Sequence, residues 1–262
     1  MPSVINEVIK DMTEDVLLTE RTDQVLVITL NRPRVMNAID SSVSVGLAEA
    51  LTELENDESL RAGVLTGAGR GFSAGMDLKS FHESGLPLGW EDLIRRGCTK
   101  PLVAALEGFA LAGGLELALM CDLFVAARGT KLGIPETSVG LFAAGGGINR
   151  LVARLPLSVA LEMALTARPI LAEDAAQHGL VNKLTEPGET LSEAVKLAGL
   201  IASNAPLAVV ASKRLMRSCQ GQTEEAYWRL QGPPMRAVLA SRDAREGAAS
   251  FLEKRQAEWT GQ

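Results

Sequence analysis

The chain has 262 residues, 47% of them hydrophobic, which is enough to bury the core of one large domain with or without a small appendage. Its formal charge is −6, and its basic residues are scattered apart from short clusters such as Arg95-Arg96 and Lys213-Arg214, so nucleic acid is not an expected partner while a small anionic ligand is compatible. Three cysteines, Cys98, Cys121 and Cys219, fit neither a disulfide framework nor a zinc spacing, and the reading is a cytoplasmic protein without metal.

In chain order, Val16–Thr19 and Val25–Leu30 are β-rich and read as a hairpin that Asn31-Arg32-Pro33 ends. Before it, the residues through Asp15 carry charge and no signal-peptide core. No apolar run reaches the roughly 18 residues of a membrane span, so no membrane partner is expected. Asp40 is an expected N-cap for a helix carrying Leu47, Leu51 and Leu54 on one face. Ala62–Thr66, Pro101–Leu106 and Leu123–Ala127 read as buried strands with glycine-rich connections. Beyond Asn204 three helical stretches follow: Pro206–Ser218, Thr223–Arg229 and Arg242–Glu258. The organisation is an α/β core over residues 1–204 and a helical C-terminal region over 205–262.

The segment Thr66–Asp77 is rich in glycine and admits three readings. Gly71-Phe72-Ser73-Ala74-Gly75 matches a hydrolase nucleophile elbow with His178 downstream, but an elbow needs a strand running directly into the serine, and here a five-residue loop intervenes. A dinucleotide fingerprint lacks its third glycine. The third reading is a loop whose main-chain amides approach an anion or a developing oxyanion.

Two glutamates lie in apolar stretches beside glycine: Glu116 in Ala110–Ala118 and Glu136 in Leu132–Glu136. A carboxyl among Leu, Ala and Ile finds a partner or has its pKa raised, which is how a general acid or base is made. Each residue taken alone also reads as an ordinary surface, ion-paired or helix-start acid.

Phe72–Lys79, Gly108–Asp122, Leu132–Glu136 and Gly145–Leu151, with Asn31–Ala38 near the start and Phe251–Arg255 near the end, resemble the successive signatures of the enoyl-CoA hydratase/isomerase family, the crotonases. The resemblance covers nearly the whole chain. It implies a ββα spiral core with a C-terminal helical trimerisation region, and a homotrimer or a hexamer of paired trimers. It implies an acyl-CoA thioester substrate, with coenzyme A as part of that substrate and no separate cofactor. The thioester oxygen would be held by the backbone amides of Met76 and Gly113. Glu116 would activate water and Glu136 would protonate the α-carbon, and because the family's isomerases generally keep only the later glutamate, both together point to hydration. Arg32, Arg34, Ser73, Ala74, Asp77, Leu78, Lys79 and Lys254 would contact the substrate or its CoA, Lys254 that of its own or of a neighbouring subunit.

Asp77 and Asp122 are expected to be structural, Asp77 as a helix cap. His82 and His178 fall outside the motifs and are taken as non-catalytic. Leu141, Phe142 and Ile148 are candidate walls of the acyl pocket. The chain departs from the common hydratase pattern at Glu107, Ala112 and Phe142-Ala143-Ala144. Its tail resembles crotonobetainyl-CoA hydratases as much as fatty-acyl ones, which leaves the acyl group open.

Overall fold

A computed structural model describes residues 16–262, and the reading made of the first fifteen residues lies outside them. Strands β1 (Leu17–Thr22) and β2 (Val25–Leu30) form the expected antiparallel hairpin, closed with Asp23 at φ 51°. To β2 the chain adds, all in parallel, β3 (Ala62–Gly67), β4 (Leu102–Leu106), β6 (Leu123–Ala127) and β9 (Lys183–Thr185), giving the order β1-β2-β3-β4-β6-β9. The near-continuous apolar runs of β2, β3 and β4 have a simple cause: parallel strands of this kind are covered on both faces.

The period-two alternation sends the two sets of side chains to different cores. Val25, Val27, Val64, Val103 and Val125 pack with Ala194, Ala198 and Ala202, a small-residue stripe at i, i+4, i+8 on the helix Thr190–Ala202. Leu26, Ile28, Leu65 and Ala104 join the larger cluster on the other side.

That second side carries a smaller sheet of β5 (Phe109–Leu111), β7 (Lys131–Gly133) and β8 (Ile170–Leu171). Each turn of the chain therefore lays one strand in the large sheet, one in the small sheet, and then a helix. In chain order the helices are α1 (Ser41–Asn56), α2 (Leu78–Ser84), α3 (Trp90–Arg96), α4 (Gly113–Met120), α5 (Gly147–Val152), α6 (Leu157–Thr166), α7 (Ala172–Gln177) and α8 (Thr190–Ala202). In the two earliest turns the small-sheet strand shrinks to single bridges, Ile39 with Met76 and Ser73 with Ala110. Asp40 caps α1 by accepting from the Val43 N–H at 3.0 Å, as its position predicts. Every residue of α4 is buried.

After Asn204 come α9 (Pro206–Ser218), α10 (Glu224–Ala240) and α11 (Arg242–Glu253). The helix expected over Thr223–Arg229 runs on to Ala240 through Pro233 and Pro234. The one expected over Arg242–Glu258 stops five residues early, where Lys254 adopts a left-handed φ of 55° as its cap. Among the described residues no single helix is long and apolar enough to cross a membrane.

No residue of α9 is buried, so its attachment depends on polar anchors. Asp122, just before β6, accepts from the Leu102 N–H at 2.8 Å and pairs with Lys213 and Arg217 of α9, each at 2.7 Å. Lys213 also donates to the Lys100 carbonyl, and Arg217 to that of Met120. Asp122 thus behaves as the structural residue that the sequence suggests. Asp122→Ala strands two cations and one amide and should lower stability by about 2–3 kcal/mol in chemical denaturation. A loss below about 1 kcal/mol would show instead that α9 is held by packing.

Candidate active site

The glycine-rich loop after β3 is organised by Asn37, a buried residue whose amide donates to the carbonyls of Ala68 and Gly71 at 2.8 and 2.9 Å. Ser73 is fully buried beside it. The Ser73 N–H donates to Phe109, its carbonyl accepts from Leu111, and its hydroxyl donates to the Asn37 carbonyl while accepting from the Gly75 N–H. With every polar group engaged and no surface, Ser73 is not placed as an elbow nucleophile; it ties the loop to β5 and does not line the cavity.

Gly75 adopts φ +99°, and a Cβ there would fall 2.7 Å from the Ala112 Cβ and 3.0 Å from the Gly113 nitrogen. Only glycine lets the loop lie this close to the start of α4. The neighbouring amides of Met76 and Gly113 consequently face one another's surroundings: a Cβ on Gly113 would stand 3.5 Å from the Met76 nitrogen. Among the described residues neither N–H donates a hydrogen bond, and both residues line the same cavity. Ala112, which precedes α4, is held at φ 50°, ψ −131°, a region that disfavours a side chain by about 1–3 kcal/mol.

Glu116 lies in α4 with 3% of its surface exposed. Its Oε1 accepts from the Gly147 N–H at 2.9 Å. The glycine run is needed to seat it, since a Cβ at Gly145 would fall 2.6 Å from Oε2 and one at Gly147 would fall 3.0 Å from Oε1. Arg150 holds that run in place by donating to the Gly145 carbonyl at 3.0 Å and to the Ile94 carbonyl in α3. Burial pushes the Glu116 carboxyl above the usual range, opposed by the amides of Gly147 and Gly145 and by the charge of Arg150.

Glu136 belongs to a 3-10 turn, Pro135–Val139, and its environment differs. Its Oε2 is buried without any hydrogen-bond partner. Burial, with the negative charge of Glu116 behind it, pushes its pKa up to about 7. The main chain of Glu136 itself lowers that pKa only in part, so one cavity holds a carboxyl bonded to the amides of the glycine run and another with one buried oxygen left unpartnered.

The cavity encloses about 470 Å³. Of the residues singled out in the sequence, Ala74, Met76, Leu78, Ala112, Gly113, Glu116, Glu136, Leu141, Phe142 and Ala144 line it. Ile148 does not: it sits in α5 beyond the glycine run, 46% exposed, and is not a wall of the pocket. Asp77 caps α2, accepting from the Ser80 N–H at 3.3 Å. Arg32 pairs with Asp40 at 3.0 Å and Asp77 at 3.3 Å and donates to the Ala38 carbonyl, so its charge is matched inside the protein. Lys79 is exposed next to Leu78, Arg34 lies in the 3-10 turn Pro33–Val35, and Lys254 caps α11 away from the cavity lining. His82 and His178 are exposed helix-end residues outside it. Glu107 accepts from the Gly188 N–H and the Thr190 hydroxyl at the start of α8, so that departure from the family pattern does not touch the cavity.

Sequence reasoning did not single out Trp90, which is 2% exposed and lines the cavity, or the clamp made by Arg150. Arg150 is visible as the basic member of Gly145–Leu151, but nothing in its spacing shows that it reaches the Gly145 carbonyl. Among the described residues no cluster of three or more His, Cys, Asp or Glu is placed to hold a metal ion.

Comparison with known proteins agrees with this geometry. The family model for enoyl-CoA hydratase/isomerase matches residues 20–262. A crystal structure of an enoyl-CoA hydratase from Mycobacterium tuberculosis H37Rv superposes with a TM-score of 0.91 at 47% identity, covering 95% of this chain and 100% of that one. Among curated relatives, a carnitinyl-CoA dehydratase of Salmonella arizonae is 38% identical, with 95% of this chain and all of the relative aligned. A 2,3-dehydroadipyl-CoA hydratase of Escherichia coli is 35% identical over 94% of this chain and 98% of its own length. With a family match across almost the whole chain and relatives aligned end to end, this protein belongs to the enoyl-CoA hydratase/isomerase family.

Proposed function

We propose that the protein hydrates the 2,3 double bond of an enoyl-CoA thioester. The observation that carries this reading is the unlike pair of acids in one apolar cavity: Glu116 bonded to the Gly147 N–H and Glu136 with a buried, unpartnered oxygen. Adding water across a conjugated double bond needs a base for the water and an acid for the α-carbon. Main-chain donors favour the ionised form of Glu116, while burial and an unpartnered Oε2 favour the protonated form of Glu136.

In this mechanism the thioester oxygen accepts hydrogen bonds from the Met76 and Gly113 amides. Glu116 takes a proton from water as its oxygen attacks C3, the electron pair moves onto the thioester oxygen as an enolate, and Glu136 delivers its proton to C2. Donors already aimed at the developing oxyanion are each worth about 2.7–4 kcal/mol of barrier in other enzymes. Ala74 and Leu78 would border the CoA chain, and Lys79, Arg34 and Lys254, the last from a neighbouring subunit, would meet its phosphates. The same groups run the reverse dehydration, which is the direction named for the carnitinyl-CoA relative. Double-bond isomerisation is the second reading, but it leaves the seating of Glu116 without a task. Cys98 and Cys121, buried thiols pushed up to about 11 and about 12, suit a reducing cytosol.

Glu116→Gln and Glu136→Gln should each lower kcat for hydration by about 10²–10⁴-fold on a panel of enoyl-CoAs, read by loss of enoyl absorbance. A wild-type protein that hydrates no enoyl-CoA ends this reading.

The dependence on pH follows from the same pair. kcat/KM should fall above about pH 7 as Glu136 loses its proton, and again at low pH as Glu116 gains one, with the upper limb absent in Glu136→Gln. Folded Glu136 keeps its proton to about pH 7 and the unfolded chain only to about 4.5, so stability should decline across that window as pH rises. An upper limb unchanged in the variant would remove Glu136 from the role of acid.

Assembly into a trimer or hexamer is part of the proposal. Leu239, Phe251 and Leu252 on the C-terminal helices are 67%, 83% and 79% exposed, an apolar surface that a second subunit would cover. Sedimentation at three or six times the 27.8 kDa chain mass is expected, and a monomer at working concentration would contradict it.

A further inference from the structure

Beyond the two glutamates the cavity is walled by Phe81, Leu86 and Trp90 from the α2–α3 segment and by Leu141 and Phe142 from the opposite loop. Three ionisable side chains line it, and all are acids: Glu91, Glu116 and Glu136. No Lys, Arg or His does so among the described residues. Glu91 follows the buried Trp90 in the first turn of α3 and makes no hydrogen bond or ion pair among those residues. It also borders a neighbouring depression shared with Arg95 and Arg150, yet neither comes within ion-pair distance of it.

We propose that this cavity selects acyl groups with an uncharged end and rejects those ending in a carboxylate, with Glu91 as the residue that sets the preference. The inference rests on the acyl-CoA reading above and names the class of acyl group. A carboxylate carried past the oxyanion amides into this space loses water, meets no cation in return, and faces the like charge of Glu91 at the exposed rim of a wall of aromatic and aliphatic side chains. Discrimination of this kind works through an unfavourable pairing built against the wrong ligand. An uncharged chain of the same length meets only the apolar wall. The relative that acts on 2,3-dehydroadipyl-CoA shows that the family scaffold itself does not forbid an acidic acyl end, so the preference belongs to this chain's own lining.

Saturated thioesters separate this proposal from catalysis, because they bind without being hydrated. Hexanoyl-CoA and adipyl-CoA share six acyl carbons and the same CoA phosphates, and differ in the terminal carboxylate. Titration calorimetry of the wild-type protein should give hexanoyl-CoA a Kd at least about tenfold lower than adipyl-CoA. That ratio should shrink by about threefold or more in Glu91→Gln and further in Glu91→Lys. It should also narrow in the wild type as salt is raised, which a purely steric preference would not do. Equal affinities in the wild type, or a ratio unmoved by both substitutions, overturns the proposal while leaving the acyl-CoA reading intact. Failure of both thioesters to bind overturns the two together.

Discussion

The structure depends on a single hydrogen bond, from the Gly147 N–H to the buried carboxylate of Glu116. Helix α4 has no exposed residue, so an acid in it cannot reach water and must be bonded or neutral. The bond is available because the Gly145–Gly147 run can approach where any side chain would collide, and because Arg150 fixes that run to α3. The same helix begins at Gly113. Anything that seats Glu116 therefore also fixes the direction of the Gly113 amide, and carboxyl and amide move as one rigid piece.

The second acid gains its character from what is missing around it. Glu136 and Glu116 share a cavity and a low-dielectric wall, yet Glu116 meets the amides of two glycines and a nearby guanidinium, while Glu136 meets only its own main chain and keeps Oε2 unpartnered. Like charges in one cavity resist joint ionisation, and the difference in donors decides which carboxyl yields its proton first. A division of labour between chemically identical side chains thus needs no difference in residue type.

Much of this was legible in the sequence because it is local or carried by motif. The long parallel strands show as apolar runs, Asp40 and Asp77 show as caps, and the glycines around Ser73 and Gly145 mark close approaches. What was hidden is tertiary. Strands β5, β7 and β8 have three residues or fewer, too short for any periodicity to register. Ser73, Arg32 and Ile148 share motifs with cavity residues, and their neighbours in space, not in sequence, turn them elsewhere. Trp90 and Glu91 belong to no motif, and only the folding of the α2–α3 segment over the cavity gives them a place.

The two main-chain donors can be traced to how the small sheet ends. In the single bridge between Ile39 and Met76, the Ile39 N–H bonds to Gly75 and the Asp77 N–H to Ile39, so the Met76 N–H points to the opposite side. A longer β5 would satisfy it there. Instead β5 stops at Leu111, the chain turns through the left-handed φ of Ala112, and α4 starts with its own unpaired first N–H. The strain accepted at Ala112 is what leaves both amides open, one from an unfinished sheet and one from a helix start. The site is therefore the place where the repeating ββα pattern fails to close on itself.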